Sequence, residues 1–296
     1  MYHTLLVPLD GSEYSERALP LAMILARHLG AQLVLMRAAS ASVFPGADAT
    51  QAEVRAVEEA QTYLVKMKAE MSGQGVSIEI ALPYGDAAEE ILQEIGTRHA
   101  DLVVMCTHGR SGLGRWIFGS VAEKVLAHST APVLLVRPTG AATTLELEPA
   151  QAGLLVPLDG SAFAESVLPH AKALACLFGR RLMLLRVVEP PRNAYAFAEA
   201  ALVAAPSNVP ARDAETYLEE VAQRLRDPGL SVQTVVREGW AADVIAYGCR
   251  ELQPGLIVMA THGRAGVARL LLGSVALEVV RRSPLPVMLI RPAEAI

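Results

Sequence analysis

Cysteine is scarce. Cys106, Cys176 and Cys249 are the three in the chain, widely spaced and never arranged as C-x-x-C, which fits buried thiols in a reducing compartment better than a disulfide framework. Long apolar runs are also missing: no uninterrupted stretch reaches the roughly 18 residues that a membrane-spanning helix needs. No basic block is present, and Lys plus Arg number 26 against 31 Asp plus Glu, a net charge of −5. Nucleic-acid binding by charge is therefore not expected. Met1-Tyr2-His3-Thr4 leads directly into an apolar segment, without a basic region and cleavage site, so a cytoplasmic, non-membrane chain is expected. The lysine of G-x-x-x-x-G-K-[ST] is absent, and the glycine-rich segment does not follow the first strand, so neither a Walker-type ATPase nor a dinucleotide fingerprint is indicated.

What the chain does have is a repeat. Leu5-Leu6-Val7-Pro8-Leu9-Asp10-Gly11-Ser12 returns as Leu154-Leu155-Val156-Pro157-Leu158-Asp159-Gly160-Ser161; Thr107-His108-Gly109-Arg110 returns as Thr261-His262-Gly263-Arg264; and Gly119-Ser120-Val121-Ala122 returns as Gly273-Ser274-Val275-Ala276. A period of about 150 residues is one domain long, so each copy should have its own core. The expected division is a first domain over residues 1–138, a linker over 139–151 and a second domain over 152–296. The few residues gained by the second copy fall in the proline-bearing segment Glu189 to Pro210, where an insertion is tolerated.

Within the first copy, strands are predicted at Thr4–Pro8, Gln32–Arg37, Val76–Leu82, Leu102–Met105 and Val133–Val136. Helices are predicted at Ser12–Leu29, Ala49–Met71, Asp86–Arg98 and Gly119–Ala127. Leu102-Val103-Val104-Met105 and Val133-Leu134-Leu135-Val136 are apolar throughout, as strands of a parallel sheet covered on both faces are. The alternation is that of a doubly wound α/β fold, five parallel strands per domain in the order 3-2-1-4-5. Ligands of such sheets bind at the carboxyl ends of the strands where the order reverses, between the first and fourth.

Two segments meet at that point. In the first, Asp10 ends a strand and Ser12 can cap the following helix; Asp10 and Asp159 could accept ribose hydroxyls or could simply shape a turn. In the second, the glycines between Thr107 and Ser120 permit close backbone approach, and Gly119-Ser120 opens a helix whose N-terminus favours phosphate. The alternative there is a loop with a glycine-serine cap. Arg110 and Arg264 could face phosphates or water. His108 and His262 have no metal-ligand or catalytic partner at suitable spacing and read as loop histidines, and Cys106, replaced by Ala260 in the second copy, reads as a buried thiol.

Together these motifs, with the closing Pro132-Val133-Leu134-Leu135-Val136-Arg137-Pro138, resemble the universal stress protein family over nearly all of both copies. The resemblance implies ATP or a related adenine nucleotide as ligand, with Mg²⁺. Of the glycine motif Gly-x2-Gly-x9-Gly-[Ser/Thr] that marks the family's nucleotide-binding branch, Gly109, Gly263, Gly119-Ser120 and Gly273-Ser274 match, while Cys106 and Ala260 occupy the first position. By the resemblance, Asp10 and Asp159 hold ribose and the backbone near Ala38 and Val187 contacts adenine. Gly109, Arg110, Gly119, Ser120 and Val121, with Gly263, Arg264, Gly273, Ser274 and Val275, surround the phosphates. Pro8, Met105 and Thr107, with Pro157, Met259 and Thr261, belong to the same nucleotide-binding set. Pairing of family members through their last strands implies that Val133–Val136 and Val287–Ile290 lie edge to edge as an internal pseudo-dimer, with a further dimer of chains conceivable. The functions implied are a nucleotide sensor, a scaffold without nucleotide, or a slow ATP hydrolase, in that order, with no catalytic residue and no protein-borne metal site assigned.

Overall fold

A computed structural model describes residues 2–41, 48–107, 119–137, 152–190, 209–261 and 272–291. The linker expected at 139–151, the residues 108–118 and 262–271, and most of the insertion expected at 189–210 lie outside the described residues. The chain divides into two compact units, Met1–Glu146 with Met288–Arg291 and Leu147–Val287 with Pro292–Ile296.

The first unit runs β1 (Thr4–Pro8), α1 (Glu13–Glu16), α2 (Leu19–Leu29), β2 (Gln32–Met36), α3 (Ala49–Met71), β3 (Ile78–Ala81), α4 (Ala87–Thr97), β4 (Leu102–Cys106), α5 (Ser120–His128) and β5 (Val133–Val136). Its strands follow the order β3-β2-β1-β4-β5. All are parallel, with Leu5 level with Leu33 of β2 and with Leu102 of β4. Every residue of β4 and β5 is buried, as helices on both faces require. Residues 288–290 of the last strand, β10 (Val287–Ile290), lie beside β5 in this unit, and Arg291 Nη1 donates to the Ala127 carbonyl at 2.6 Å. The doubly wound fold expected from the alternation is the fold observed.

The predicted helix Ser12–Leu29 is in fact two helices. Pro20 has no N–H to offer the carbonyl of Glu16, so the hydrogen-bonded run of α1 stops after one turn and α2 restarts with the proline in its first turn, although Arg17 and Ala18 keep right-handed helical dihedrals. Other boundaries differ from expectation by one or two residues, as helix caps allow: Asp86 caps α4 through its side chain, accepting from Ala88 and Glu89, and Gly119 precedes α5.

The second unit repeats the plan with β6 (Gly153–Pro157), α6 (Ala162–Glu165), α7 (Leu168–Leu177), β7 (Leu182–Val188), α8 (Val209–Leu225), β8 (Val232–Glu238), α9 (Ala241–Asp243), β9 (Pro254–Ala260) and α10 (Ser274–Arg282), in the strand order β9-β6-β7-β8. Backbone detail is copied too: His99 and Gln253, each just before the fourth strand of its repeat, both have φ of 50°.

One element departs from its counterpart. Where the first unit has the regular helix α4, the second has the short α9, a π-helical turn over Val244–Gly248 and a 3₁₀ turn over Arg250–Leu252. Trp240 stands where Asp86 does and cannot cap, so Glu189 supplies an oxygen instead, accepting from the Ala241 amide at 3.1 Å. Gly248, in place of Glu94, lowers the helix propensity of the middle of the segment. No helix among the described residues is long and apolar enough to cross a membrane.

Burial holds the His170 imidazole, on α7, below the usual histidine range. The unfolded chain then takes up that proton more readily than the folded one, so the contribution of His170 is complete above the ordinary value of 6.5 and is lost as pH falls through it. Denaturant midpoints between pH 7.5 and about 5 should fall less steeply in His170→Gln than in the native chain; parallel curves would exclude this contribution.

Candidate functional site

The carboxyl ends of β1 and β4, neighbours in the sheet, open into a cavity of about 280 Å³. Pro8, Asp10, Ala38, Met105, Thr107, Gly119, Ser120 and Val121 all line it. Every described residue named from the sequence for the first copy is therefore brought to one place, at the point of strand reversal where ligands of open α/β sheets bind. Gly109, Arg110, Gly263 and Arg264 lie outside the described residues, as do His108 and His262.

The β1–α1 corner is built on Asp10. Its Oδ1 accepts the Ser12 amide at 2.9 Å and the Ser12 hydroxyl at 2.5 Å, while the Ser12 Oγ accepts the Ser15 amide at 3.2 Å and so caps α1. The Asp10 amide donates to Ser15 Oγ at 3.2 Å. Asp10 thus shapes the turn, as one of the two sequence readings held, and also lines the cavity, as the other requires. The second copy reproduces the turn: Asp159 Oδ1 accepts the Ser161 amide at 2.9 Å and its hydroxyl at 2.5 Å. Both turns need glycine next, since Gly11 and Gly160 have φ of +83° and +82°, a region that side chains with Cβ disfavour.

At the opposite wall, α5 begins against the end of β4. The Gly119 amide donates to the Thr107 carbonyl at 3.0 Å, and Gly273 to Thr261 at 2.8 Å. This explains the glycine by close approach: a Cβ at 119 would stand 3.2 Å from that carbonyl oxygen, while its φ of −64° is ordinary. It also refines the phosphate reading, because the Gly119 and Gly273 amides are already engaged. The donors the helix offers are those of Ser120, Val121 and Ala122, which by helix geometry have no intrahelical acceptor and sit at the positive end of the dipole. Ser120 is exposed and Val121 half-buried.

Sequence reasoning missed part of the wall. Leu9, Ser15, Met36, Ala87, Ile91 and Ala122 also face the cavity. Ala87 and Ile91 could have been found from their place in the first turns of the helix that follows β3. Cys106, which stands at the first motif glycine, lines the cavity as well and is 6% exposed, whereas the second copy carries Ala260 there. In the second unit Pro157, Asp159, Val187, Met259, Thr261, Gly273, Ser274 and Val275 occupy the matching ends of β6, β7, β9 and α10. Thr261 and Met259 are buried.

Among the described residues, an exposed pair joins Lys124 on α5 to Asp86 at 3.6 Å. Among the described residues no group of three or more His, Cys, Asp or Glu side chains is placed to hold a metal ion.

The family model for the universal stress protein family matches residues 1–137 and again 153–291. A universal stress protein of Methanocaldococcus jannaschii is 33% identical over 141 residues, 46% of this chain and 83% of that protein. One of Mycolicibacterium smegmatis is 27% identical over 248 residues, covering 80% of this chain and 76% of the relative. Among solved structures, a universal stress protein from Archaeoglobus fulgidus aligns over 99% of this chain and 97% of its own, with a TM-score of 0.73 and 22% identity, a likeness of fold.

Because Ala at position 11 would have to adopt a left-handed conformation with its Cβ 3.0 Å from the Arg37 guanidinium, Gly11→Ala should destabilise the protein by about 1–2 kcal/mol. A denaturant titration that leaves the midpoint in place would show that the turn can relax.

Proposed function

The chain belongs to the universal stress protein family, and on that premise we propose that it is a stress-response protein that binds ATP or a related adenine nucleotide as a sensor. The observation that carries the reading is the single cavity in which the sequence-derived residues of the first copy meet, with a helix N-terminus at one side and the Asp10 carboxylate at another. At about 280 Å³ it lies just below the range of small-molecule sites, about 300–1,000 Å³.

In this reading Asp10 accepts the ribose hydroxyls and the backbone at Ala38 meets the edge of the base. The amides of Ser120, Val121 and Ala122 receive phosphate oxygens, helped by Gly109, Gly119 and Arg110, with Pro8, Met105 and Thr107 forming the walls. Asp159, Val187, Gly263, Arg264, Gly273, Ser274 and Val275, with Pro157, Met259 and Thr261, do the same in the second unit. Mg²⁺ would arrive on the phosphates, since a lone carboxylate at each turn is too few ligands for a protein-borne cation. No residue is assigned to catalysis: the cavity carboxylate, Asp10, is tied to its own turn, so a binding module is favoured over an ATP hydrolase. The cytoplasm is the compartment that fits such a ligand. Self-association through the last strands, within the chain or between chains, belongs to the same reading.

One observation favours a second reading, a scaffold without nucleotide. Cys106 lines the cavity where the family's nucleotide-binding branch has glycine, and it narrows the space for a ligand. The difference between Cys106 and Ala260 also leads us to expect unequal affinities in the two units.

Calorimetry with ATP and Mg²⁺ on the native chain, Gly119→Val, Gly273→Val and the double variant tests the proposal, with circular dichroism confirming that each is folded. Binding to one or two sites, with each substitution removing its share, is the expected result. Absence of heat at millimolar nucleotide on folded native protein would replace the sensor by the scaffold.

A further inference from the structure

Three side chains from three different elements converge on the turn that carries Asp10. Tyr63, on α3, donates its hydroxyl to Glu16 Oε1 on α1 at 2.9 Å. The guanidinium of Arg37, just past β2, lies over the Tyr63 ring at 5.0 Å and packs against Gly11, where a Cβ would meet its Nη1 at 3.0 Å. The second unit has the same arrangement. Tyr217, on α8, donates to Glu165 Oε1 on α6 at 3.0 Å; Arg186 lies over the Tyr217 ring at 6.0 Å; and Arg186 Nη1 donates to the Leu158 carbonyl, one residue before Asp159, at 3.2 Å. Arg224 adds a further bond to Glu165 Oε2 at 2.7 Å.

The chemistry of each cluster is fixed. Burial, then the hydrogen bond to Glu16 and its charge, hold the Tyr63 phenol well above the usual range, and the same causes act on Tyr217 through Glu165. Each tyrosine is therefore a permanent donor. Asp10 and Asp159 lie close enough to add to the same shift, so each cluster shares one electrostatic neighbourhood with the turn aspartate.

The mechanical consequence follows from the length of α1. Four residues cannot hold a helical turn on their own, because nucleation is unfavourable. The Tyr63–Glu16 bond ties that turn to the long helix α3. The tied turn presents Ser15, whose hydroxyl receives the Asp10 amide at 3.2 Å and which lines the cavity. Arg37 braces the other side of the same corner, and its neighbour Ala38 is also part of the cavity wall.

We infer that Glu16, Tyr63 and Arg37, and in the second unit Glu165, Tyr217 and Arg186, are positioning residues that hold Asp10 and Asp159 in register with the ribose hydroxyls, so that the sites select ribonucleotides over their deoxy analogues. The inference rests on the adenine-nucleotide reading of the site. It adds a selectivity to it, carried by residues that do not themselves touch the nucleotide.

The test compares ATP with 2′,3′-dideoxy-ATP, each with Mg²⁺, by calorimetry on the native chain, on Tyr63→Phe/Tyr217→Phe and on Glu16→Gln/Glu165→Gln, with folding followed by circular dichroism. The tyrosine variant should bind ATP about three- to tenfold more weakly, the scale of one lost hydrogen bond, and bind the dideoxy nucleotide as the native chain does. The glutamine variant, which keeps an acceptor for the tyrosine, should retain most of the preference. Equal weakening toward both nucleotides, no weakening at all, or a glutamine variant as impaired as the tyrosine one would overturn the positioning role. A native chain that binds both nucleotides equally would also overturn it while leaving the nucleotide reading intact, whereas a native chain that binds neither would remove both.

Discussion

The hydrogen bond from the Gly119 amide to the Thr107 carbonyl, 3.0 Å long, and its copy from Gly273 to Thr261, 2.8 Å, set the geometry on which each site depends. Each joins the end of a central strand to the start of a helix and so fixes the helix N-terminus against the sheet, whatever path the intervening residues take. A Cβ at position 119 would stand 3.2 Å from the carbonyl oxygen, so a side chain there would require the carbonyl or the helix start to give by a few tenths of an ångström. With the helix held there, its first amides and its positive end face the strand ends, and β1, the parallel neighbour of β4, brings Asp10 to the same level. The cavity is a consequence of strand order, parallel direction and this one closure.

The two units keep that closure and the aspartate turn while differing around them. The first has a regular helix capped by Asp86; the second has a π-helical turn, a glutamate from β7's end as surrogate cap and an exposed tryptophan in the aspartate's place. The first has a thiol in its cavity wall and the second an alanine at that position. Duplication copied the parts whose backbone geometry is demanding. The periphery, where several side chains can satisfy the same hydrogen bonds, has diverged, and π-helical turns of this kind recur near functional sites.

Much of this was legible in the sequence because the relevant signals are local. Apolar runs at β4 and β5, the Asp-Gly-Ser corner and the glycine-serine helix start each encode geometry within a few residues, and the internal repeat doubled every signal. The break between α1 and α2 was also written locally, in Pro20, but the continuous apolar period across it concealed the stop. The degraded helix of the second unit needed a comparison of Asp86 with Trp240 and of Glu94 with Gly248, since each change alone is mild. The Glu16, Arg37 and Tyr63 cluster could not be read in advance. Its members recur in the second copy as Glu165, Arg186 and Tyr217, so the repeat marks each of them, but they are far apart in the chain and sit on three elements; only the packing of α3 over the sheet shows that they meet.

Hydrogen–deuterium exchange on the native chain, with and without ATP and Mg²⁺, tests the central claim most directly, because it reports the amides themselves. Nucleotide should slow exchange at Ser120, Val121 and Ala122 and at Ser274, Val275 and Ala276, with little change at the Gly119 and Gly273 amides, which are already bonded. Protection confined to other segments, or none under conditions where nucleotide binds, would contradict the placement of the site at these two helix starts.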